Sequence, residues 1–363
     1  MKKNQLVTLG KHIDILSGCA FPSSGFNRNN GVPLIRIRDI LSGKTETYYE
    51  GSYDLKYLIK KGDLLVGMDG DFNREYWKGT DALLNQRVCK ITPNPETLDK
   101  NFLYHFLQKE LDKIHATTDV VTVKHLSVKK IQDIKIRLPS LKEQKRIATI
   151  LDKADAIRQK REQAIKLADD FLRAKFLEMF GTPANNIHRF PKGTIRDLVD
   201  SVNYGTSAKA SIDSGEYPIL RMGNITYQGR WDFTDLKYLD LSVKEKDKYL
   251  VKEGDLLFNR TNSKELVGKT AVYEEDRPMA FAGYLIRVRP NSIGNNYYIS
   301  GYLNSIHGKI TLMNMCKSIV GMANINAQEL QNIEILIPPK HLQDEYEIIY
   351  KKIKKGLSIY DKS

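Results

Sequence analysis

The chain has 363 residues, 41% of them hydrophobic, and 57 Lys and Arg against 44 Asp and Glu give it a formal charge of +13. This length holds two ordinary domains, the apolar share is enough for packed cores and too high for a disordered chain, and the basic excess favours an anionic partner, nucleic acid or an anionic membrane surface. No apolar run is long enough to span a bilayer, and Met1-Lys2-Lys3-Asn4-Gln5 opens no signal-peptide core. Cys19, Cys89 and Cys316 are too few and too far apart for a disulfide framework or a cysteine zinc site, and they fit a reducing cytoplasm.

In chain order, Pro33 to Ile40 alternates and is β-branched, which predicts a strand. At Lys60-Lys61-Gly62-Asp63-Leu64-Leu65 the glycine tolerates positive φ and the aspartate can cap a turn that feeds a short buried strand. Asn101 to Lys113, with Phe102, Tyr104, Phe106, Leu107, Leu111 and then Ile114, has helical spacing. Gln132 to Leu138, with Ile134 and Ile136, reads as a strand.

After Pro139 the pattern changes. Ser140-Leu141-Lys142-Glu143 has capping-box spacing, and the apolar residues that follow keep to one stripe, among them Ile147, Ile150, Leu151, Ile157, Phe171 and Phe176. No glycine or proline interrupts it until Gly181 and Pro183. About forty helical residues make a rod of roughly 60 Å. A striped helix of that length calls for a partner helix, most simply an antiparallel one. Leu342, Tyr346, Ile349 and Ile353, after Pro338-Pro339, mark a shorter candidate.

The chain also repeats itself. Lys56-Tyr57-Leu58-Ile59-Lys60-Lys61-Gly62-Asp63-Leu64-Leu65-Val66 returns as Lys248-Tyr249-Leu250-Val251-Lys252-Glu253-Gly254-Asp255-Leu256-Leu257-Phe258, identical at eight of eleven positions. Pro33 to Ile40 parallels Pro218 to Ile225, Phe102 to Leu107 echoes Tyr298 to Leu303, and Gln132 to Pro139 answers Gln331 to Pro338. Four matched blocks in one order imply two homologous units of mixed α and β structure, an α+β chain with long coiled-coil-like helices.

This order of parts resembles the specificity subunits of type I restriction–modification systems. Leu138 to Ala154 looks like that family's central conserved region, Phe176-Leu177-Glu178-Met179-Phe180-Gly181-Thr182-Pro183 like its close, and Gly-Asp-Leu-Leu with Leu266 to Thr270 like further family features. The resemblance implies target-recognition domains at 1–139 and 182–338, the central helix at 140–181 and a second conserved helix at 339–363, shorter than the family's usual distal region. It also implies a non-catalytic, cytoplasmic subunit that reads a bipartite double-stranded DNA site. The subunit would dock two adenine-modification subunits that use S-adenosylmethionine and restriction subunits that use ATP and Mg, while holding no cofactor of its own. Ile147, Ile150, Leu151, Ile157, Phe171 and Phe176 would form the docking stripe.

Contacts to phosphates and base edges need Arg, Lys, Asn and Gln, which makes Asn73, Arg74 and Lys78 candidates in the first unit, with Tyr76 and Trp77 alongside. Asn259, Arg260, Asn262 and Lys264 are their counterparts in the second unit, and Arg36, Arg38 and Arg221 are strand candidates. Gly268-Lys269-Thr270 mimics the end of a phosphate-binding loop, but Ser263 stands where its first glycine belongs. The histidines, His105, His115 and His125 included, lack metal-ligand spacing and read as surface or packing residues. Two other readings stay open on the residues alone: an enzyme with an unrecognised site, and a scaffold that binds proteins.

Overall fold

A computed structural model describes residues 6–118, 123–263, 266–316 and 322–358. The chain divides into two compact units, Met1–Gln159 and Lys160–Ser363.

In the first unit the capped turn predicted at Gly62-Asp63 forms as expected. Gly62 has a φ of +92°, and Asp63 Oδ2 accepts from the Lys60 amide at 2.9 Å. The turn launches Leu64–Gly67 into an antiparallel sheet ordered Ile13–Ser17, Val88–Pro93, Leu64–Gly67, Arg74–Tyr76. A second sheet runs Phe26–Asn27, Tyr48–Tyr49, Val32–Ile35, Ala82–Leu84, Leu58–Ile59, with Val32–Ile35 and Ala82–Leu84 parallel. The strand predicted over Pro33 to Ile40 stops at Ile35. Ile37–Asp39 turns into a short 3-10 helix because the Asp39 carboxylate accepts from the Arg36 amide at 2.9 Å.

Helix α1, Lys100–Ala116, begins where Asp99 accepts from the Asn101 and Phe102 amides. It buries Leu103, Leu107 and Leu111, spaced four apart, against Leu64, Val66 and Ile91. Each fully buried leucine contributes about 1.5–3 kcal/mol. The predicted strand over Gln132 to Leu138 is split: helix α2, Val128–Gln132, is capped by Ser127 and leaves only Lys135–Arg137 to pair with Leu6–Thr8.

Helix α3 runs unbroken over Leu141–Phe180. Ser140 Oγ accepts from the Glu143 amide at 3.4 Å, but Glu143 does not reach back. Its carboxylate takes both Nε and Nη2 of Arg146 at 3.0 and 2.7 Å, a charge-assisted pair stronger than a bond to a neutral amide. The helix start is held instead by Gln144, which is fully buried. Its amide donates to the Thr97 and Pro139 carbonyls and accepts from the Asp99 amide at 2.8 Å. One side chain thus ties α3 to the cap of α1.

The second unit repeats this frame. Its sheets run Val199–Tyr204, Leu285–Pro290, Leu256–Asn259, Thr270–Val272 and Lys237–Leu239, Tyr217–Leu220, Met279–Phe281, Leu250–Val251. The parallel pair recurs, here Tyr217–Leu220 with Met279–Phe281. Gly254 has a φ of +88°, and Asp255 Oδ2 accepts from the Lys252 amide at 2.9 Å. Helix α4, Val243–Tyr249, precedes that turn, where the first unit has a single 3-10 turn, Leu55–Tyr57. Helices α5, Asn296–Asn304, and α6, Ile306–Met315, then α7, Ala327–Gln331, and α8, Lys340–Ser358, complete the unit. Gln343 repeats the donor half of the Gln144 role, giving its amide protons to the Ile293 and Pro338 carbonyls.

The end of α3 belongs to this unit's core. Phe176 and Phe180 lie 5.5 and 4.7 Å from the Tyr298 ring, and Tyr346 of α8 packs on both. Beyond Tyr346, Tyr350 and Leu357 face a small cavity shared with Leu172 and Asp169. Contacts that climb α8 therefore descend α3, so the two run antiparallel there. Gly181, with a φ of +67°, ends α3 as predicted. The apolar stripe has two fates: Phe176 is 1% exposed and serves the core, whereas Ile150, Leu151, Ile157 and Phe171 are exposed and Ile147 is half-buried.

Replacing Gln144 by Leu leaves an amide and two carbonyls unpaired, and the stability of the first unit should fall by roughly 1–3 kcal/mol in urea denaturation. A second expectation concerns Lys309, whose Nζ is buried, has no hydrogen-bond partner among the described residues and sits 4.8 Å from the Tyr227 ring centre. Burial, with Arg173 and Lys269 adding like charge, holds its pKa down at about 8. The unfolded lysine keeps its proton to higher pH, so the unfolded state binds more protons above about 8 and stability contributed by this group rises there. Lys309→Met should be more stable than the parent at pH 7 by roughly 1–3 kcal/mol, and the gap should narrow between pH 8 and 9.5.

Candidate nucleic-acid interface

The first unit carries an open groove of 840 Å³. One wall is the 3-10 turn with Arg36 and Arg38, another the turn Asp69 to Asn73, and a third Asn85-Gln86-Arg87. Phe26 supports the first wall, with the Arg36 guanidinium 5.4 Å from its ring centre. On the third wall Arg87 has a φ of +73°. Its Nε lies 3.4 Å from Asp69 Oδ2, and His125 Nδ1 lies 2.6 Å from Asp69 Oδ1 and 3.4 Å from Arg87 Nη1. Three arginines and two carboxylates, Asp69 and Asp71, thus share one groove.

Backbone hydrogen bonds locate the same place in the second unit. Met68 N donates to Arg87 O, and Arg260 N to Tyr284 O; Leu126 N donates to Met68 O, and Ile325 N to Arg260 O. Asp69 bridges His125, and Thr261 pairs with Asn324. Asp69, Arg87 and His125 therefore correspond to Thr261, Tyr284 and Asn324. There Thr261 Oγ1 donates to Asn324 Oδ1 at 3.3 Å, Tyr284 is 55% exposed, and the Arg260 guanidinium lies 4.9 Å from the Tyr204 ring centre.

The candidates read from the sequence scatter around this frame. Arg36, Arg38 and Asn73 line the groove of the first unit. Arg74 turns from it, its guanidinium 3.5 Å from the Tyr104 ring centre and its Nε buried. Lys78 is exposed beside Glu75 at 3.3 Å, Tyr76 is stacked on Tyr104, and Trp77 is 2% exposed. In the second unit Arg221 is paired with Asp235 at 2.8 Å. Asn259 is fully buried, so the core claims a side chain expected on the surface. Asn262 Oδ1 accepts from the Ser263 amide. Lys264 lies outside the described residues.

The two candidate segments both follow Gly-Asp-Leu-Leu, but they do not occupy equivalent positions, because strand pairing makes Thr270 the counterpart of Arg74. Val66 pairs with Arg74 and Phe258 with Thr270, so Asn259 corresponds to Gly67 and Arg260 to Met68. The same register explains Gly268-Lys269-Thr270. Gly268, φ +78°, stands where Phe72, φ +52°, stands in the first unit, and the buried Lys269 donates to the Met222 carbonyl. It is a strand entry, not a phosphate cradle. Arg87 and His125 are not marked as a site by the sequence, where His125 reads as a surface or packing residue. Their signal lies in the contrast of Asn85-Gln86-Arg87 with Ala282-Gly283-Tyr284, visible only once the two copies are laid in register.

Among the described residues no helix is long and apolar enough to cross a membrane, and no group of three or more His, Cys, Asp or Glu is placed to hold a metal ion.

One sheet frame used twice, with a polar groove in the first copy and unlike side chains at the matched positions, is the pattern of a duplicated recognition domain. The description "Type I restriction modification DNA specificity domain" matches residues 1–167 and again 190–362, and the chain belongs to that family. It is a type I specificity subunit, a DNA-sequence-recognising protein. It is 31% identical to the EcoBI specificity subunit of Escherichia coli over 94% of this chain and 77% of that one. It is 24% identical to the EcoKI specificity subunit of Escherichia coli strain K12 over 89% and 75%. Its fold is shared with the crystal structure of the type I S subunit from M. genitalium, with a TM-score of 0.65 and 14% identity over 100% of this chain and 92% of that one.

Proposed function

We propose that each unit reads one half of a bipartite, asymmetric double-stranded DNA site, and that the chain does so as the non-catalytic member of a larger cytoplasmic complex. The observation that carries this reading is the pair of equivalent positions occupied by Asp69, Arg87 and His125 in one unit and Thr261, Tyr284 and Asn324 in the other. A frame that preserves its backbone bonds while exchanging charged for neutral side chains suits two half-sites of different sequence.

Helix α3 supplies the second part of the reading. Ile150, Leu151, Ile157 and Phe171 are exposed on it and suit the docking of two modification subunits. Those subunits would methylate adenine with S-adenosylmethionine, and restriction subunits would bring ATP and Mg. The chain itself would supply sequence selectivity and spacing.

Two experiments test this. Arg36→Ala with Arg38→Ala should weaken binding about tenfold or more through one half-site, with the base preference of the other intact. Footprinting on duplexes mutated in each half separately reads the effect, and equal loss at both halves would contradict separate readers. Deleting seven residues of α3, close to two turns or about 11 Å, should shorten the accepted spacer by roughly three base pairs at ~3.4 Å each. A spacer that stays the same would show that the helix does not set it.

A further inference from the structure

We propose that Arg87, oriented by Asp69, reads a guanine in the half-site bound by the first unit, and that no residue of the second unit does so at the matched place. The inference rests on the reading of one half-site per unit and names the side chain that gives the first unit a preference the second lacks.

The geometry is that of a buttressed arginine. Asp69 Oδ2 lies 3.4 Å from Nε of Arg87, while Asp69 Oδ1 is held by His125 at 2.6 Å. Nε faces Asp69 and Nη1 also meets His125 at 3.4 Å, so Nη2 and the second N–H of Nη1 are the donors that a ligand in the groove meets, and Arg87 is 54% exposed along its side chain. Parallel donors of a fixed guanidinium match O6 and N7 of guanine on its major-groove edge, and no other base presents two acceptors there. An arginine without a buttress would loosen this match, because its long side chain samples many rotamers.

Two further observations separate base reading from a contact to the DNA backbone. Arg36, Arg38 and Arg87 share their groove with Asp69 and Asp71. Carboxylates repel phosphates, so a surface built only to hold the backbone gains nothing from them, whereas one that orients a base-reading arginine does. The backbone at Arg87 is also left-handed, with a φ of +73°. A glycine would adopt this conformation freely, yet a long charged side chain stands there. The equivalent Tyr284 is absent from the positive-φ residues, and its neighbours Thr261 and Asn324 provide no carboxylate to hold a cation.

The test uses the full chain and a pool of randomised DNA duplexes, with the bound fraction sequenced. For the parent chain one guanine should be defined within the half-site that the Arg36 and Arg38 substitutions weaken. Arg87→Ala should cut discrimination at that base pair by roughly 5- to 150-fold and leave every other position unchanged. Arg87→Gln, whose amide suits adenine, should shift the preference at the same pair and guards against a misfolded alanine variant. Asp69→Asn should reduce the guanine-over-adenine ratio at that pair by more than it reduces overall affinity, which marks a positioning role and not simple loss of structure. Uniform weakening across all sequences by Arg87→Ala would mean a backbone contact and overturn the proposal, as would relaxation in the other half-site. If a two-part consensus appears and none of the three variants alters it, only this assignment fails. A pool with no two-part consensus removes the half-site reading and this inference with it.

Discussion

A carboxylate closing a glycine turn decides where everything else in each unit lands. Asp63 and Asp255 each bind the amide three residues back, across Gly62 and Gly254 in left-handed conformation. The turn starts a strand buried at every position, Leu64–Gly67 in one unit and Leu256–Asn259 in the other. A slip of one residue would invert the side chains of such a strand, so the cap fixes its register as well as its start. Register in turn delivers Met68 to Arg87 and Arg260 to Tyr284, the contacts that hold the edge of the groove. In the second unit the aspartate also binds Arg289 at 2.7 Å, so the same carboxylate closes the turn and neutralises a cation on the neighbouring strand.

On that fixed frame, the matched groove-edge positions exchange side chains while the backbone bonds beside them persist. Backbone hydrogen bonds at residues 68, 87 and 126 recur at 260, 284 and 325, while a charged cluster in one copy is replaced by hydroxyl, phenol and amide in the other. Bonds between backbone atoms do not depend on residue type. Hence the edge can change its chemistry while keeping these backbone bonds, a property that a protein needs if one architecture is to address unlike sequences.

Features set by local chemistry were legible in the sequence. The repeat, the capped glycine turns, α1 and α3 follow from spacing and from short-range bonds, and each stands where the residues indicate. Strand ends were less legible, because Asp39 caps a 3-10 turn inside one predicted strand, and α2, begun by Ser127, runs into the first residue of the other. The groove was hardest to read. Arg74 and Asn73 are adjacent, yet one is packed on Tyr104 and the other faces the groove, since neighbours on a strand point to opposite sides. Arg87 joins Asp69 only through the pairing of distant strands. Composition marks arginines as candidates, and pairing alone decides which of them share a surface.

The buried Gln144 bears on α3 in the same way. Gln144 fixes the start of the helix to Thr97, Asp99 and Pro139, and the stack of Phe176, Phe180, Tyr298 and Tyr346 fixes its end. Between these anchors residues 149–154 and 156–160 are exposed on every side, Ile150, Leu151 and Ile157 among them. Pairs such as Arg146 with Glu143 and Arg158 with Asp155 are solvent-exposed and add little. Asp152 also meets His105 and Asn101 of α1 at 2.7 and 3.4 Å, yet Ile150, Leu151 and Ile157 are 39–55% exposed and leave apolar surface in water that polar residues would not. Helix formers without apolar side chains would serve a plain connector better. Apolar residues in the middle of a helix whose two ends are already secured suit a surface that covers them, so the proposed docking falls on the centre of α3, while Phe176 is spent on the core.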